Sequence, residues 1–433
     1  MKIVLIAGFS NAEIREHLEF KKDHKWYHWL IRMFRLPARV GEFWDSAPWV
    51  KSIIEEVEKQ TDIELHVIGP HIRLRNSIET FQLRGVTYHY YRTELTSLLR
   101  VFNKYKLWKR LQQSGRYVRK IVDKVQPHLI VLSGTENPPS SVAVLATDKY
   151  PRLCLQQTIY NNPLRSEYSI PNRLIQDVEK DIFSQLQYFG VFCKMHYDLL
   201  YEYRPNATIF KFGYPSKGIL LEPTNTTAEY DFVNFAQMHG SRKGTPDSIQ
   251  ALAIVKKKYP DVTLNIVGGC DSTGLGQLKA LAMKLGLENN VIFTPFFEKC
   301  SDLLFHIQKS RYAVLPCKLD HISGTMNQAM QLGLPLVVYK TTGTPIFNRK
   351  KECVLIAEKG NVEELAHHML TLMENPEKAE MLKKNAREYQ ELQILNKRKN
   401  GERLMQTFRA IVAYEKDKIP IPQELLFNPQ KDD

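Results

Sequence analysis

The sequence predicts an α/β fold in which two Rossmann-like domains follow one another. Short apolar runs alternate with longer amphipathic stretches throughout the 433 residues, and this alternation is typical of mainly parallel sheets covered by helices. The series restarts after residues 213–230, a stretch rich in Gly, Pro, Ser and Thr that indicates a linker. The length agrees, since domains of roughly 100–200 residues imply two or three of them.

The first half supplies the elements of the first domain. Its apolar runs predict strands at 2–7, 63–68, 86–91, 128–133, 152–157 and near 188–192. Apolar residues at helical spacing predict helices between them, at 47–60 and 97–125. We place the first domain at residues 1–215.

The second half repeats the pattern. Strands are predicted at 231–236, 262–267, 291–293, 312–315, 335–339 and 353–356. Helices are predicted at 246–259, 275–285, 301–309, 325–332, 361–374, 376–390 and 400–414. We place the second domain at 216–395, followed by a helix and tail at 396–433 that could cross back to the first domain. Pro420 and Pro422 predict that the tail is partly loose.

Composition narrows the class of protein. Apolar residues make up 43% of the chain and charged residues 25%, which excludes intrinsic disorder. The six cysteines form no C-x-x-C pair, which argues against a zinc site or a disulfide framework and suits a reducing compartment. No run approaches the ~18 consecutive apolar residues of a membrane helix. The apolar start of the chain is interpreted as a buried strand, so we expect a cytoplasmic protein.

Open α/β sheets bind ligands beyond the carboxyl ends of their strands, so site residues are expected there. After the first strand of the second domain, Arg242 and Lys243 lie adjacent in a glycine-flanked loop and suit a diphosphate. After the next strand come Gly268 and Gly269, where missing side chains would let a ligand approach the backbone. Taken alone, the first segment is more typical of an exposed basic turn and the second of a simple turn.

The most informative segment follows the fourth strand of the second domain. Ser323, Gly324 and Thr325 lie where a helix begins, and free backbone N–H groups at a helix N-terminus form a site for anions. Gln328 lies four residues after Gly324 and shares its helix face, while Asp320 lies in the loop before the helix. One nucleotide-sugar could contact Asp320 by its sugar, the helix N-terminus by its phosphates and Gln328 by its ribose.

At this point the chain resembles a known enzyme family. Residues 231–387 are similar to the retaining glycosyltransferases of family 4, through the segments RKGTPDSIQALAIVKKKYPDVTLNIVGG, LGLENNVIFTPFF, QAMQLGLPLVVYKTTGTP and NPEKAEMLKKNARE. The first half resembles the same family more weakly, through MKIVLIAGFSN, EFWDSAPWV and VQPHLIVLSGTENP. The resemblance implies the GT-B fold, in which two Rossmann-like domains face each other across a cleft. It also implies transfer of a sugar from a nucleotide-sugar with retention of anomeric configuration.

The chain departs from the family pattern at three points. The loop-helix segment of the family usually carries two glutamates, which align here with Asp320 and Gln328, so one carboxylate becomes a neutral amide. The phosphate-binding arginine of the family would fall near Gln237 or Met238, and Arg242 could replace it. A histidine that relatives often carry in the first domain is replaced by serine.

The resemblance implies chemical roles for the candidate residues. Lys243 and Arg242 would neutralise the departing nucleoside diphosphate. Asp320 would hold sugar hydroxyls and stabilise the positive charge that develops at the anomeric carbon. The rest of the donor site would consist of Gly269, Ser323, Gly324, Thr325 and Gln328. Cationic side chains and a helix N-terminus can replace a metal ion, so neither a metal nor a cofactor is expected.

The first domain would bind a saccharide acceptor. Gly8, Ser10 and Asn11 follow its first strand, and Gly8 permits close approach to the backbone. Glu136 follows the carboxyl end of another strand. Each of these residues can equally be part of a turn or, for Glu136, a solvated acid.

Positive charge is concentrated in two stretches. The formal net charge is +13, and residues 99–124 and 15–39 are rich in Lys and Arg, the second stretch also in aromatic residues. Basic residues interleaved with aromatic ones can bind an anionic membrane surface, which would suit a lipid-linked acceptor. Alternatively, they form a solvated face around an ordinary aromatic cluster. No nucleic-acid motif accompanies the charge, so nucleic acid is not an expected partner.

The resemblance therefore implies a retaining, metal-independent glycosyltransferase of hexosyltransferase type that builds a bacterial capsule, O-antigen or exopolysaccharide. It would be cytoplasmic and could lie peripherally on the inner face of the cytoplasmic membrane. Three alternatives stay open. They are an epimerase or phosphorylase of the same fold, a degenerate member that binds a sugar nucleotide or glycan without turnover, and a basic protein that binds membranes or RNA.

Overall fold

The computed structural model describes residues 1–20, 47–93, 104–163, 165, 173–215, 220–224, 226–270, 272–297, 299–319 and 322–431. Asp320 lies outside the described residues, as do 21–46 and 94–103, which include most of one predicted basic stretch and the start of the other. By its internal contacts the chain divides into two compact units. The first comprises Met1–Pro163, Ile170–Lys217 and Lys397–Asp433, and the second comprises Leu164–Ser169 and Gly218–Asn396.

An eight-stranded sheet forms the centre of the first unit. Its strands are β1 (Lys2–Ile6), β2 (Glu64–His71), β3 (Ile78–Leu83), β4 (Val86–Arg92), β5 (Leu129–Ser133), β6 (Arg152–Leu155), β7 (Tyr188–Val191) and β8 (Thr208–Lys211). They lie in the order β3-β4-β2-β1-β5-β6-β7-β8, and all neighbours are parallel except β3 and β4. The helices are α1 (Ala12–Arg15), α2 (Pro48–Glu58), α3 (Lys104–Val125), α4 (Pro138–Ser141), α5 (Arg173–Gln185) and α6 (Lys194–Tyr203).

Strand β1 shows why the apolar runs of this unit are continuous. Ile3 and Leu5 join the hydrophobic core on one face of the sheet, whereas Val4 and Ile6 join the core on the other face. Successive side chains of a strand point to opposite faces, so a strand that is covered on both sides must be apolar throughout. Helix α2 contributes to the first core and α3 to the second.

The second unit contains a six-stranded sheet. Its strands are β9 (Tyr230–Met238), β10 (Leu264–Gly269), β11 (Val291–Thr294), β12 (Ser310–Leu315), β13 (Leu336–Tyr339) and β14 (Leu355–Ala357). They are all parallel, in the order β11-β10-β9-β12-β13-β14. The helices that follow β9 are α7 (Thr245–Lys256), α8 (Ser272–Lys284), α9 (Cys300–Ile307), α10 (Gly324–Gln331), α11 (Val362–Glu374) and α12 (Pro376–Asp417). The predicted α/β class with mainly parallel sheets is confirmed.

The strand β3 was not predicted from the sequence. It pairs antiparallel with β4 at the edge of the first sheet. Arg84 and Gly85 connect the two strands, and both have positive φ angles, of 50° and 80°. Two consecutive residues with positive φ angles form a turn whose twist matches that of the flanking strands. Such a turn usually has the sequence Asn-Gly or Asp-Gly, and Arg at the first position makes it hard to recognise.

Helix α12 corrects the prediction of two separate helices at 376–390 and 400–414. The chain continues as one helix of 42 residues through Asn400 and Gly401. A Cβ atom at residue 401 would lie 2.4 Å from the carboxyl carbon of Glu56, so the glycine permits close packing on helix α2. Beyond it, Leu404 and Phe408 are buried in the core of the first unit. This burial outweighs the low helix propensity of glycine, about 1 kcal/mol relative to alanine.

The end of the chain is packed, which corrects the prediction of a partly loose tail. Leu425 and Phe427 are 3% and 6% exposed. The N–H of Phe427 donates to the carbonyl of Ile209 over 2.9 Å, and Leu426 forms a bridge with Phe210. The tail therefore covers the outer edge of β8, which would otherwise expose unpaired backbone groups.

Among the residues that the structure describes, no helix is both long enough and apolar enough to cross a membrane.

Candidate active site

Two loops of the second unit meet at the carboxyl edge of its sheet. One follows β9 and forms a short 3-10 helix, Ser241–Lys243, before α7 begins. The other follows β12, the neighbour of β9, and leads toward α10. The N–H of Lys318 in the second loop donates to the carbonyl of Arg242 in the first, over 3.0 Å. The predicted basic loop and the predicted loop-helix segment are therefore in direct contact.

Gly244 permits this contact. Its φ angle is +68°, and a Cβ atom there would lie 2.0 Å from the carbonyl oxygen of Pro316. A side chain would therefore meet both backbone strain and a rigid neighbour. Arg242 is exposed and Lys243 is half-buried in the loop that this glycine ends.

A largely buried ion pair joins the second loop to the first turn of helix α7, which directly follows the first loop. The ammonium of Lys318 lies 2.8 Å from Oδ2 of Asp247, and the two side chains are 17% and 8% exposed. The hydroxyl of Tyr339, at the end of β13, donates to the same oxygen over 2.8 Å. Burial raises the pKa of Tyr339, and the hydrogen bond to Asp247 adds to this effect, so the phenol stays neutral and donates. Asp247 lies in the first turn of α7, where a negative charge is favourable.

His239 ties the first loop to the neighbouring strand β10. Its backbone N–H donates to the carbonyl of Gly269 over 2.9 Å. Its Nε2 lies 3.0 Å from the carbonyl oxygen of Val267, and its Nδ1 lies 3.0 Å from the hydroxyl of Thr245. Only an N–H can pair with the carbonyl, so Nε2 carries the proton and Nδ1 accepts from the threonine. Burial lowers the pKa of His239, which keeps the ring in this neutral form.

Close packing explains the two glycines at the end of β10, in addition to their predicted role in ligand binding. Gly268 has a φ angle of +135°, and a Cβ atom there would lie 1.8 Å from the carbonyl oxygen of Ala236. At Gly269 a Cβ atom would lie 2.6 Å from the carbonyl oxygen of Gln237. Both glycines therefore let β10 lie close to the end of β9.

Helix α10 begins as its sequence predicts. Ser323 is its N-cap, and the serine hydroxyl accepts from the N–H of Met326 over 3.3 Å and lies 2.9 Å from the hydroxyl of Thr325. Gly324 is exposed, and a Cβ atom there would meet no heavy atom of the described residues within 4 Å. Gln328 is half-buried, one turn further along the helix. Backbone atoms at the helix start are thus open to a ligand, although the serine oxygen is used by the cap.

The donor-side candidates therefore lie at one edge, beyond three neighbouring strands. Gly269 ends β10, Arg242 and Lys243 follow β9, and the start of α10 follows β12. Gln237 and Met238, where the resemblance places an arginine, are both exposed at the end of β9. The side chain of Arg242 starts four residues beyond Met238, in the loop itself.

The acceptor-side candidates lie in the first unit, after β1 and β5. Asn11 caps helix α1 by accepting from the N–H of Ile14 over 2.8 Å. Ser10 is buried and accepts a hydrogen bond of 3.3 Å from the guanidinium of Arg15. Both polar side chains therefore have local structural partners, which reduces what they can offer to a ligand.

Gly8 and Glu136 agree better with the predicted acceptor site than Ser10 and Asn11 do. A Cβ atom at Gly8 would lie 2.0 Å from the side-chain nitrogen of Asn137, so the segment after β5 lies directly over the end of β1. Glu136 is half-buried, and its carboxylate folds back over Gly134, whose φ angle is +74°. Burial raises the pKa of nearby Tyr214, and the charge of Glu136 raises it further.

Sequence reasoning missed Glu179, a fully buried acid on helix α5. Its carboxylate accepts from the hydroxyl of Thr135 over 2.6 Å and from the backbone N–H groups of Tyr160 and Asn161 over 3.1 and 2.8 Å. It thereby joins the loops that follow β5 and β6. An acid within the apolar stripe of an amphipathic helix is the signal that could have revealed it. Asp247, Lys318 and Tyr339 were also missed, because their contacts join residues that are far apart in the sequence.

Comparison with known sequences finds a family match within the second unit and two partial relatives of the chain. Residues 222–389 match the family described as Glycosyl transferases group 1. The chain is 31% identical over 138 residues to an uncharacterised glycosyltransferase of Haemophilus influenzae, and 25% identical over 146 residues to the uncharacterised glycosyltransferase YqgM of Bacillus subtilis. These alignments cover 32% and 34% of this chain and span only 38% and 40% of the two relatives.

Two solved structures are similar to this chain over nearly its full length. Sucrose-phosphate synthase from Thermosynechococcus elongatus has a TM-score of 0.67 at 16% identity, covering 95% of this chain and 99% of that one. Anabaena HepE in complex with UDP-glucose has a TM-score of 0.61 at 12% identity, covering 94% and 100%. The predicted GT-B fold class is confirmed by these likenesses, which speak for the fold alone.

Proposed function

We propose that this chain is a retaining glycosyltransferase of family 4 that transfers a hexose from a nucleotide-sugar to a saccharide acceptor. The observation that carries the proposal is the carboxyl edge of the second unit, where Arg242, Lys243, Gly269 and the start of helix α10 follow three neighbouring strands. Residues 222–389, which contain this edge, match the glycosyltransferase group 1 family. Open α/β sheets bind their ligands at this edge.

The diphosphate of the donor is the group this edge suits best. Arg242 offers a planar fork of donors and Lys243 a compact positive charge, and the exposed backbone at Gly324 adds N–H groups at a helix N-terminus. Because both loops are held by buried contacts of His239 and Asp247, the donors need little reorganisation when charge develops on the leaving group. These cations carry the electrostatic role, so we propose that no metal ion is required.

The reaction breaks the bond between the anomeric carbon and the diphosphate oxygen, and the electron pair leaves with the diphosphate. The acceptor oxygen bonds to the anomeric carbon from the same face, and its proton passes to the departing phosphate oxygen. In the proposal, Asp320 holds sugar hydroxyls and stabilises the developing cation, and Gln328 binds the ribose.

We propose that the acceptor is a saccharide, probed first as a lipid-linked one, and that the product is a bacterial surface polysaccharide. Gly8 and Glu136 follow β1 and β5 at the carboxyl edge of the first sheet, and this position supports assigning them to the acceptor. Arg116, Arg119 and Lys120 are exposed on helix α3, which supports a peripheral contact with an anionic membrane surface. HepE is described with UDP-glucose, so UDP-glucose is the first donor to test.

A second candidate is a degenerate member that binds a sugar nucleotide without turnover. Gln328 favours it, because the chain lacks a carboxylate where the family usually carries its second glutamate. Such a protein would keep donor affinity and release no nucleotide.

Nucleotide binding tests the proposed site. Thermal shift with UDP, GDP, ADP, CMP and their sugar conjugates should show stabilisation by one nucleotide class, and Lys243→Ala should abolish it. Lys258→Ala is the matched control, since Lys258 pairs with Glu374 on the exposed surface beyond the end of α7, and it should respond like the wild type. Equal stabilisation of the wild type and Lys243→Ala would contradict the assignment of the phosphate site.

A further inference from the structure

We propose that Asp247 is a positioning residue: by binding Lys318 and Tyr339 it holds the segment 316–319 against residues 241–244 and so aligns the two loops of the donor site. The inference rests on the proposed function for its catalytic consequence, and it adds residues to which neither the family resemblance nor the comparisons give a role. Asp247 contacts three elements at once, because it lies on α7 while its partners lie after β12 and at the end of β13.

The carboxylate of Asp247 is fully engaged. Its Oδ1 lies 2.9 Å and its Oδ2 lies 2.8 Å from the ammonium of Lys318. Tyr339 donates a further hydrogen bond of 2.8 Å to Oδ2. The ammonium cannot swing away without leaving this buried acid uncompensated, so the position of Lys318 is strongly restrained.

The restraint acts on the backbone that carries the site. The N–H of Lys318 donates to the carbonyl of Arg242 over 3.0 Å, and the thiol of Cys317 approaches the same carbonyl at 3.5 Å. Pro316 packs against Gly244 on the other side of this contact. Lys318 therefore contacts the first loop through its backbone and the helix that follows that loop, α7, through its side chain. The segment it belongs to leads directly into Asp320.

Stability alone is a poor explanation of this arrangement. Replacing a buried ion pair by apolar residues of similar size is often neutral or stabilising, and an apolar pair would fill the space beneath the loops equally well. What a buried, directional pair adds is orientation, because its hydrogen bonds are satisfied in only one arrangement of the two loops. At a reaction centre a displacement of about 1 Å can lower the rate ~10²-fold.

The arrangement also controls charge. Asp247 neutralises Lys318, so Lys318 adds little net positive charge to the edge where a diphosphate would bind. Asp247→Asn removes this neutralisation and loosens the pair without a large change in shape. We therefore expect the affinity for the nucleoside diphosphate to be retained within about threefold while turnover falls ~10–100-fold. A purely structural role would lower both quantities together, in proportion to the folded fraction.

The test compares Asp247→Asn, Lys318→Met and the double variant with Asn290→Ala. Asn290 is a matched control, because its buried side chain donates to the carbonyls of Pro260 and Val262 at the opposite edge of the same sheet. The measurements are kcat and KM for the donor that the nucleotide screen identifies, Kd for its nucleoside diphosphate, and the melting temperature. In the double variant both charges are gone, so the melting temperature should recover relative to Asp247→Asn alone, whereas kcat should stay low because the directional pair is absent. If Asp247→Asn and Asn290→Ala lose the same stability and show the same kcat and Kd, the proposal is wrong.

Hydrogen–deuterium exchange tests the positioning without any donor. In Asp247→Asn, exchange should rise in peptides that cover 241–244 and 316–319 and stay unchanged in the strands β9 and β13. Unchanged exchange in both loops would overturn the proposal, regardless of the activity that the variant shows. Increased exchange in a protein that neither binds nor turns over any nucleotide-sugar would leave the positioning intact and refute the proposed function instead.

Discussion

At the scale of single residues, glycines and one histidine decide how closely the loops of the donor site approach each other. Gly244 and Gly268 both have positive φ angles and both face a carbonyl oxygen, of Pro316 and of Ala236. His239 fastens the same loop through three hydrogen bonds. The close approach of these backbone segments therefore depends on the missing side chains of Gly244 and Gly268.

The variant Gly244→Ala tests this dependence. We expect nucleotide affinity to fall at least tenfold, because the methyl group displaces the segment at Pro316 from the basic loop. The measurement is isothermal titration with the nucleoside diphosphate that the screen identifies. Gly286→Ala is the matched control, since Gly286 has a similar φ angle of +65° but no heavy atom of the described residues near its Cβ position. Equal affinities in the two variants would show that the close approach does not matter.

The neutral state of His239 predicts how stability depends on pH. Burial lowers its pKa below the ~6.5 of an unfolded histidine, so the unfolded chain takes up a proton first as the pH falls. The stabilisation is complete above pH ~6.5 and is lost as the pH falls through the lower folded pKa. His71 and His89 act in the same direction, because burial lowers the pKa of each to about 4.

We therefore expect the melting temperature of the wild type to fall between pH 7 and pH 5. Calorimetry of His239→Gln should show a shallower fall, because this variant has no proton to gain at residue 239. His17→Gln, which changes an exposed histidine, should keep the slope of the wild type. Identical slopes in all three proteins would mean that His239 is not held in its neutral form.

At the scale of elements, tertiary contacts determine where helix α12 ends and whether the C-terminal tail is packed, and the local sequence shows neither. Asn400 and Gly401 predict a break between two helices, yet α12 continues because its second half buries Leu404 and Phe408. Two prolines predict a loose tail, yet Leu425 and Phe427 anchor it along β8. Both errors arise because burial against residues hundreds of positions earlier in the chain leaves no periodic signal.

The tail makes a direct prediction about stability. Phe427→Ala should lower the free energy of unfolding by about 3–5 kcal/mol and Leu425→Ala by about 2–5 kcal/mol, since each leaves a cavity in a core of the first unit. Urea unfolding measures the change. Ile419→Ala is the control in the same tail, because Ile419 is 54% exposed and such changes are usually within about 0.5 kcal/mol. Equal effects of all three changes would mean that the tail is not anchored.

At the scale of the whole molecule, the sequence predicts the fold more completely than it predicts the candidate site. The continuous apolar runs of β1 and β5 predict buried parallel strands, and the polar residues just after the strands predict the edge where a ligand would bind. Asn11 shows the limit of such reasoning, since a polar residue after a strand turns out to cap a helix. The pairing of Asp247 with Lys318, 71 residues apart, has no local pattern from which it could be predicted.

The central claim is that the carboxyl edge of the second unit activates a nucleotide-sugar for transfer. The most direct test is the release of nucleotide from UDP-glucose, GDP-mannose and ADP-glucose, with and without a panel of hexoside acceptors, by the wild type and by Lys243→Ala. The account predicts that one donor is turned over and that Lys243→Ala slows this turnover ~10²–10³-fold, as expected for the loss of one preorganised electrostatic group. Binding of a nucleotide without release from any donor, with or without acceptor, would contradict it and identify the chain as a sugar-nucleotide binder.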